Sequence, residues 1–283
     1  MSGKLMLCAT PIGNLQDMTP RVIEALTDAD LIAAEDTRNS IRLLNHFHIS
    51  TPMTSYHEYN KIEKAKYLTA QMREGKTVAL ITDAGTPAIS DPGETLVQMC
   101  QEQNIPVTSL PGPAACITAL TLSGLSTRRF CFEGFLPSDK KEKKEILAQL
   151  TEEPRTIILY EAPHRLTRTL SELYEALGER RITLCRELTK KFETVIPTTL
   201  SQALLLYEKE EARGEFVLVI EGRSLAEKKK EQAEGWRQIS IEEHMKLYEE
   251  KGMTQKEAMK LVASDRGIPK REVYQYIIEQ KNS

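Results

Sequence analysis

The sequence predicts an α/β fold of two α/β domains, with a mostly parallel first sheet and a mixed second sheet, followed by a small C-terminal helical unit. Two observations lead to this fold class. Short apolar runs alternate with helical patterns from residue 4 to about 125, and a second such series extends from Arg129 to Gly222. Strands that alternate with helices are typical of largely parallel, doubly wound sheets.

The first domain, residues 1–125, contains five predicted strands separated by helices. The strand sequences are "LMLCA", "LIAAE", "MTSYH", "TVALIT" and "VTSL". Thr19 followed by Pro20 is typical of a helix N-cap and first helical position, and Gly75 follows a helical pattern as a C-terminal capping glycine does. These signals indicate where predicted helices begin and end.

The second domain, residues 126–222, contains four predicted strands and three predicted helices. The strands are "FCFEGF", "TIILYEA", "RITLCREL" and "FVLVIEG", and the helices cover 140–153, 164–177 and 201–213. Because helices again lie between strands, we expect a second sheet of mixed or parallel type.

The rest of the chain divides into a charged stretch, residues 223–238, and a helical unit, residues 239–283. The stretch has little apolar periodicity and is predicted to be a linker. In the unit, Thr254 and Glu257 match a capping box, and Gly267 and Pro269 separate two helical patterns as in a helix-turn-helix. A nucleic-acid contact and a helical cap or dimer element both fit this pattern.

Composition indicates a cytosolic protein with a sizeable core. The chain has 283 residues, 40% of them apolar, and a formal charge of −3 with a pI of about 6.1, so any nucleic-acid partner must be held by local basic patches. The five cysteines are dispersed and lack metal or CxxC spacing, which favours reduced core thiols and no metal site. Neither a signal-peptide pattern nor an apolar run near the ~20 residues of a membrane span occurs.

Polar or glycine- and proline-rich clusters follow nearly every predicted strand. They are "TPIGN", "EDTR", "SYHEYN", "TDAGTPAISDPG", "LPGPAA", "YEAPHR" and "RELTKK". Ligands bind at this edge of open α/β sheets, so one cleft built from several loops explains the pattern better than separate turns. Neither a G-x-G-x-x-G sequence nor a P-loop lysine is present, which argues against dinucleotide and ATP binding.

The cluster "TDAGTPAISDPG" is predicted to bring bare main chain against a ligand. Gly85 and Gly93 permit conformations and close approaches that other residues do not, while Pro87 and Pro92 end the strand. Asp91 and Gly93 are predicted to cap the next helix.

Charged residues at these strand ends allow two interpretations. Glu35 and Arg38 can cap a helix or grip a polar substrate, and His57 can be structural or functional. The same choice applies to Glu161, His164 and the basic residues nearby. The predicted RNA-binding set is Arg38, His57, Arg128, Arg129, Arg165, Arg186 and Lys190.

In combination, the motifs resemble the ribosomal RNA small subunit methyltransferase I family. They include "ATPIGNLQDMTPR", "LIAAEDTRNSIRLLNHF", "ITDAGTPAISDPG", "LPGPAACITAL", "GLSTRRFCFEGFLP", "YEAPHRL" and "GEFVLVIEG", in order over most of residues 4–222. That family methylates the ribose 2′-oxygen of cytidine 1402 in 16S rRNA and belongs to the tetrapyrrole methylases. Pro197 stands where the family usually has a glycine, which puts the local loop geometry in question.

The resemblance implies a homodimer with a tetrapyrrole methylase-like fold, in which S-adenosylmethionine lies in the cleft between the two α/β domains. It implies cofactor contacts from four loops. Their residues are Pro11, Gly13, Asp83, Ala84, Gly85, Thr86, Ile89, Pro111, Gly112, Pro113, Ala114, Ala115, Tyr160, Glu161 and Ala162.

A ribose hydroxyl must lose its proton before or during methyl transfer, so the implied reaction calls for a base and a nearby cation. The base candidates are Glu161, His164, Glu35 and Glu187, and the candidate cations are Arg38, Arg165 and Lys190. The substrate is predicted to be 16S rRNA, within the small ribosomal subunit. Two rival functions stay open at this point, a tetrapyrrole-precursor methyltransferase and a nucleic-acid-binding regulator that senses S-adenosylmethionine.

Overall fold

The computed structural model describes residues 3–224 and 233–281. They form two compact units. The first contains the described residues up to 151 together with 155–221, and thus both predicted α/β domains; the second contains 152–154 and the described residues from 222 onward.

Five parallel strands form the first sheet, in the order β3-β2-β4-β1-β5. The strands are β1 (Leu5–Cys8), β2 (Leu31–Ala34), β3 (Met53–Ser55), β4 (Val78–Ile81) and β5 (Val107–Leu110). The helices that follow them are α1 (Pro20–Asp28), α2 (Thr37–His46), α3 (Lys61–Arg73), α4 (Glu94–Glu102) and α5 (Ala115–Leu122). The predicted parallel sheet is therefore confirmed.

The helices cover both faces of this sheet. Val22 of α1 and Leu44 of α2 lie in the core of one face, whereas Leu68 of α3 and Leu96 of α4 lie in the core of the other. Strands β1 and β4 are neighbours, and the chain leaves them toward opposite faces. In an open α/β sheet this arrangement opens a crevice beyond the carboxyl ends of the two strands.

The second sheet is mixed, in the order β6-β7-β10-β8-β9. Its strands are β6 (Phe130–Phe135), β7 (Thr156–Glu161), β8 (Arg181–Arg186), β9 (Thr194–Thr199) and β10 (Phe216–Ile220), and its helices are α6 (Lys140–Thr151), α7 (Leu166–Leu177) and α8 (Leu200–Lys209). Strand β6 pairs in parallel with β7, and the other pairs are antiparallel. Helices α6 to α8 pack on one face and α5 on the other.

Strand β9 was not among the predicted strands. It lies at the edge of the sheet, where Pro197 pairs with Thr183 of β8. Proline cannot donate to a neighbouring strand, but an edge strand requires donors on one side only. The proline that put the loop geometry in question is therefore part of an edge strand.

The C-terminal unit contains α9 (Ile241–Glu249), α10 (Gln255–Arg266) and α11 (Lys270–Lys281). The predicted capping box of Thr254 and Glu257 is present, and Gly267 ends α10 in the left-handed region at φ 62°. Part of the predicted linker lies outside the described residues, but residues 233–236 are helical, which differs from the prediction. Trp236 stacks on the buried ring of His244 at 3.7 Å, and this packing explains the order there. Among residues 3–224 and 233–281, no helix has the length and apolarity to span a membrane.

Candidate active site

The loops after β1 and β4 are joined across the crevice. Thr10 and Gly85 exchange two backbone hydrogen bonds, of 2.8 and 3.0 Å, and the Thr10 hydroxyl donates to the carbonyl of Thr82 at 3.1 Å. Gly85 has a φ of +90°, a conformation that other residues adopt at a cost, so the glycine is required for this pairing. These hydrogen bonds hold the loops after β1 and β4 together at the base of the crevice.

A cavity of about 390 Å³ lies at this crevice, with walls from both sheets of the first unit. Its lining residues are Ile12, Glu35, Asp83, Ala84, Gly85, Thr86, Ile89, Ser90, Asp91, Ala114, Ala115, Phe135, Tyr160, Glu161, Ala162, Pro163, Leu188, Glu215, Phe216 and Val217. Several loops thus form one site.

Most of the predicted cofactor residues lie in this wall. They are Asp83, Ala84, Gly85, Thr86, Ile89, Ala114, Ala115, Tyr160, Glu161 and Ala162. Pro11, Gly13, Pro111, Gly112 and Pro113 lie outside the wall, although Pro11 and Gly13 flank Ile12 and Pro113 precedes Ala114, both of which form it. A Cβ on Gly112 would lie 2.7 Å from the Cβ of Ala9, and Thr86 donates to the carbonyl of Pro113 at 2.9 Å. These loops are therefore packed closely behind the wall.

Three carboxylates of the cavity come from the first sheet: Glu35, Asp83 and Asp91. Glu35 accepts a hydrogen bond of 2.7 Å from the hydroxyl of Thr82. Asp83 accepts from the backbone N–H of Asp36 at 3.3 Å and from the amide of Asn39 at 3.2 Å. The donors to Glu35 and Asp83 in these three bonds are neutral groups, unlike a lysine or arginine partner.

Asp91 lies in the cavity and not in the helix cap that the sequence suggested. The N-cap of α4 is Gly93, which makes no side-chain capping bond. Burial, reinforced by the charges of Glu35 and Asp83, raises the pKa of Asp91 to about 7. In sequence, an aspartate shortly before a helix resembles a helix cap. Asp91 lies far from Glu35 along the chain, so the sequence does not show that Glu35, Asp83 and Asp91 form one cluster.

Glu161 also lines the cavity, but its carboxylate is engaged elsewhere. Its side chain is 1% exposed and accepts from the hydroxyl of Thr169 at 2.5 Å and from the N–H of Ala162 at 2.9 Å. Arg165 lies 3.3 Å from the same carboxylate and donates to the carbonyl of Leu136 at 2.6 Å. Glu161 and Arg165 therefore join the end of β7 to the end of β6.

The remaining catalytic candidates lie outside the cavity wall. His164 is exposed in the short 3₁₀ turn Pro163–Arg165. Lys190 forms ion pairs with Glu187 at 2.9 Å and with Glu215, a wall residue, at 2.7 Å. Lys190 thus pairs with two carboxylates at once and compensates part of their negative charge.

The predicted RNA-binding residues occupy different environments. Arg128 and Arg129 are exposed directly before β6. Arg38 is exposed but pairs with Asp36 at 2.8 Å. The backbone N–H of His57 donates to the side-chain Oδ1 of Asn60 at 2.9 Å, and Arg186 is half-buried. The structure does not bring this set together at one point.

Comparisons with known proteins identify the family of this chain. Residues 4–204 match the family of tetrapyrrole (corrin/porphyrin) methylases. The ribosomal RNA small subunit methyltransferase I of Bacillus subtilis is 47% identical over 279 residues, which cover 98% of this chain and 95% of that protein. The protein of the same name from Escherichia coli O157:H7 is 43% identical, over 99% and 96% of the two chains.

The chain belongs to the ribosomal RNA small subunit methyltransferase I family. The resemblance inferred from the motifs is therefore confirmed. More distant solved structures share the fold. Diphthine synthase has a TM-score of 0.61 at 13% identity, over 77% of this chain and 90% of that chain. Uroporphyrin-III C-methyltransferase from Thermus thermophilus, complexed with S-adenyl homocysteine, has a TM-score of 0.55 at 18% identity, over 77% and 97%.

Proposed function

We propose that this protein transfers the methyl group of S-adenosylmethionine to the ribose 2′-oxygen of cytidine 1402 in 16S rRNA, in the cytoplasm. The observation that carries the proposal is the near full-length identity to ribosomal RNA small subunit methyltransferases I, combined with one cavity lined by most of the implied cofactor residues. The homodimer rests on the family resemblance.

The cavity residues fit S-adenosylmethionine in charge and in polarity. The cofactor carries a sulfonium and an ammonium group, and the carboxylates of Glu35, Asp83 and Asp91 complement positive charge. Ile12 and Ala114 offer apolar surface of the kind that packs on an adenine ring. When bound, the cofactor supplies an already activated methyl group.

The protein must therefore position the ribose and accept its hydroxyl proton. We assign the second task to Asp91. With a pKa of about 7, its carboxylate is ionised in a large fraction of molecules at neutral pH and can still hold a transferred proton. Glu35, held by its hydrogen bond from Thr82, lines the same cavity.

RNA contacts are expected from exposed arginines, since phosphate contacts position a nucleic acid without selecting its sequence. Arg128 and Arg129 offer such groups at the start of β6, the strand whose other end reaches the cavity. A chain with a formal charge of −3 lacks a strongly basic body, so the shape of the assembled small subunit is proposed to supply the remaining specificity.

The decisive experiment maps ribose methylation of 16S rRNA in cells that lack this protein. The expected result is loss of the mark at cytidine 1402 and its return with the intact gene. An unchanged mark contradicts the proposal. Purified protein is then given small subunits or naked 16S rRNA from the deletion strain, and comparable methylation of both contradicts the requirement for an assembled subunit.

A further inference from the structure

Phe135 is a large apolar side chain that is both exposed and part of the cavity wall. It is 51% exposed, and Ile89, in the same wall, is 41% exposed. Exposed apolar groups at a concave site are typical of surfaces that a ligand covers. Neither the acid–base chemistry nor the charge of the cofactor requires an aromatic ring there.

The backbone at Phe135 is irregular in a way that changes the direction of side chains. The pairing of β6 with β7 shifts register between Phe132 and Gly134, and Gly134 has a φ of +63°. A bulge of this kind reorients the residues beside it and is common next to active sites. A Cβ on Gly134 would lie 2.8 Å from the Oγ of Ser90, so the glycine also allows the loop after β4 to approach β6 closely.

The loop that carries Ile89 is irregular too. Its neighbours Ala88 and Ser90 have φ values of 68° and 63°, in the left-handed region that is unfavourable for side chains. Such strain persists where the surrounding structure enforces it, often at ligand sites. A bulged strand and a strained loop therefore meet where Ser90 approaches Gly134, and each supplies an exposed apolar side chain to the same cavity.

Tyr160 holds the ring of Phe135 in place. The two ring centroids are 5.6 Å apart at an interplanar angle of 65°, an edge contact that leaves ring surface exposed. Tyr160 is fixed in turn by Phe132, with centroids 4.9 Å apart, and by the N–H of Cys116, which donates to its hydroxyl at 3.1 Å. Phe135 thus has a fixed inner contact and a free outer surface.

We propose that Phe135, together with Ile89, binds the base of the target nucleotide by stacking and packing, and so holds the ribose of that nucleotide at the cavity. The inference rests on the proposed function. Sequence-specific RNA recognition uses splayed-out bases that stack on aromatic side chains. A base held at Phe135 carries its ribose in the same cavity as Asp91.

The test compares the full-length protein with Phe135→Ala, Phe135→Tyr and Phe130→Ala, using small subunits from a strain that lacks the enzyme. Phe130 lies in the same strand, is 37% exposed and is outside the wall, so it is a matched control. Methyl transfer gives kcat and KM for the subunit, and calorimetry gives the Kd for S-adenosylhomocysteine. We expect Phe135→Ala to lower kcat/KM about 5- to 150-fold, the range that loss of base stacking gives, with an unchanged Kd. Phe135→Tyr and Phe130→Ala should remain close to the wild type.

Three other outcomes overturn the inference. If Phe135→Ala weakens S-adenosylhomocysteine binding by the same factor, the ring contacts the cofactor and not the base. If Phe135→Ala leaves both kcat/KM and Kd unchanged, the ring binds neither. If the wild-type protein methylates no small subunit, the proposed function fails and this inference fails with it. If the wild type is active and only the predicted effect of Phe135→Ala is missing, this inference fails alone. Because the side chain is half exposed, Phe135→Ala should fold, and its melting temperature checks this.

Discussion

The two sheets of the first unit supply carboxylates to the same region, but their partners differ. On the first sheet, Glu35 and Asp83 accept hydrogen bonds from neutral donors. On the second sheet, Glu161 lies against Arg165, and Glu187 lies against Lys190. Burial opposes ionisation of Glu187, yet the hydrogen bond from Lys190 and its charge outweigh burial and lower its pKa.

This difference indicates which carboxylates serve binding and catalysis and which ones stabilise the fold. A carboxylate with neutral donors remains available to a cationic ligand or a proton, whereas one that faces a fixed cation is already compensated. The pKa of Asp91 rises because the group is buried and because Glu35 and Asp83 add like charge, whereas the pKa of Glu187 falls because Lys190 outweighs its burial. We therefore expect carboxylates of the first sheet to control the reaction and Glu161 to control stability.

The largest effect is expected from Asp91→Asn. The amide cannot accept the proton of the ribose hydroxyl, so kcat should fall by about 10²- to 10⁴-fold, as loss of a general base does. Wild-type activity should rise with pH through about 7, because the ionised form of Asp91 is the active one. Methyl transfer to small subunits, measured across this pH range, checks both results.

Glu94→Gln is the control for this change. Glu94 lies in the first turn of α4, three residues after Asp91, is exposed and lies outside the cavity wall. Its variant should keep both kcat and the pH profile. An Asp91→Asn protein with wild-type kcat contradicts the assignment of the base.

Glu161→Gln is expected to act on folding first. Replacing this buried carboxylate weakens its bonds from Thr169 and Ala162 and leaves Arg165 without its ion pair, which should lower the free energy of unfolding by about 3 kcal/mol. Urea denaturation measures this loss.

Glu211→Gln offers the matched exposed pair. Glu211 and Arg213 are 75% and 79% exposed, and such pairs contribute little, so the unfolding curve should hardly move. Wild-type stability of Glu161→Gln, combined with a large fall in kcat, would instead place Glu161 in catalysis and remove the contrast between the sheets.

Most of the first sheet could be predicted because its signals are local. "VALI" is fully buried in β4, and Thr19 and Pro20 begin α1 as their residue types indicate. Strand β9 could not be predicted in the same way, because Pro197 argues against a strand unless the strand is known to lie at an edge. Edge position is a property of the whole sheet.

The location of the site could be predicted from the residues at the strand ends, but the role of each charged residue could not. The rule that ligands bind beyond carboxyl ends located the loops of Asp83 and Ala114. It could not show that Glu215 shares Lys190 with Glu187, since that contact joins residues 25 positions apart in sequence. Asp91 was assigned to a cap for the same reason, because its neighbours in space come from other strands.

Glu35→Gln should have a smaller effect, on cofactor binding. Removing one negative charge from the cavity should weaken S-adenosylmethionine binding by about tenfold, which corresponds to a hydrogen bond or contact with a charged group. Glu187→Gln should leave binding close to wild type, because Glu187 lies outside the wall and faces Lys190. Calorimetry on the two variants measures this contrast, and equal losses of affinity contradict it.

The smallest effect concerns the stability of the same Asp91→Asn variant. The pKa of Asp91 is about 7 in the folded protein and near its ordinary value of 3.8 when unfolded, so the unfolded state binds fewer protons between these values. This carboxylate therefore makes the protein less stable as pH rises toward about 7, and the penalty is complete above that pH. Asp91→Asn removes the penalty, and its melting temperature near pH 8 should exceed that of the wild type by about 2–4 °C for each kcal/mol of penalty removed.

Asp36→Asn is the control for this prediction, because the pKa of Asp36 is shifted in the opposite direction to that of Asp91. Hydrogen bonds from Arg38 lower the pKa of Asp36 to about 2, so its ionised form stabilises the protein above the unfolded value, and the variant should gain nothing near pH 8. The gain from Asp91→Asn should shrink as pH falls toward about 4, because the wild-type carboxyl is then protonated in the folded state. Thermal unfolding over this range measures how the melting temperature of each variant, relative to the wild type, changes with pH. If the gain from Asp91→Asn does not depend on pH, it comes from packing and not from the charge of Asp91. A variant that becomes more stable and loses turnover at the same pH would identify Asp91 as a group held in a costly environment for its chemistry.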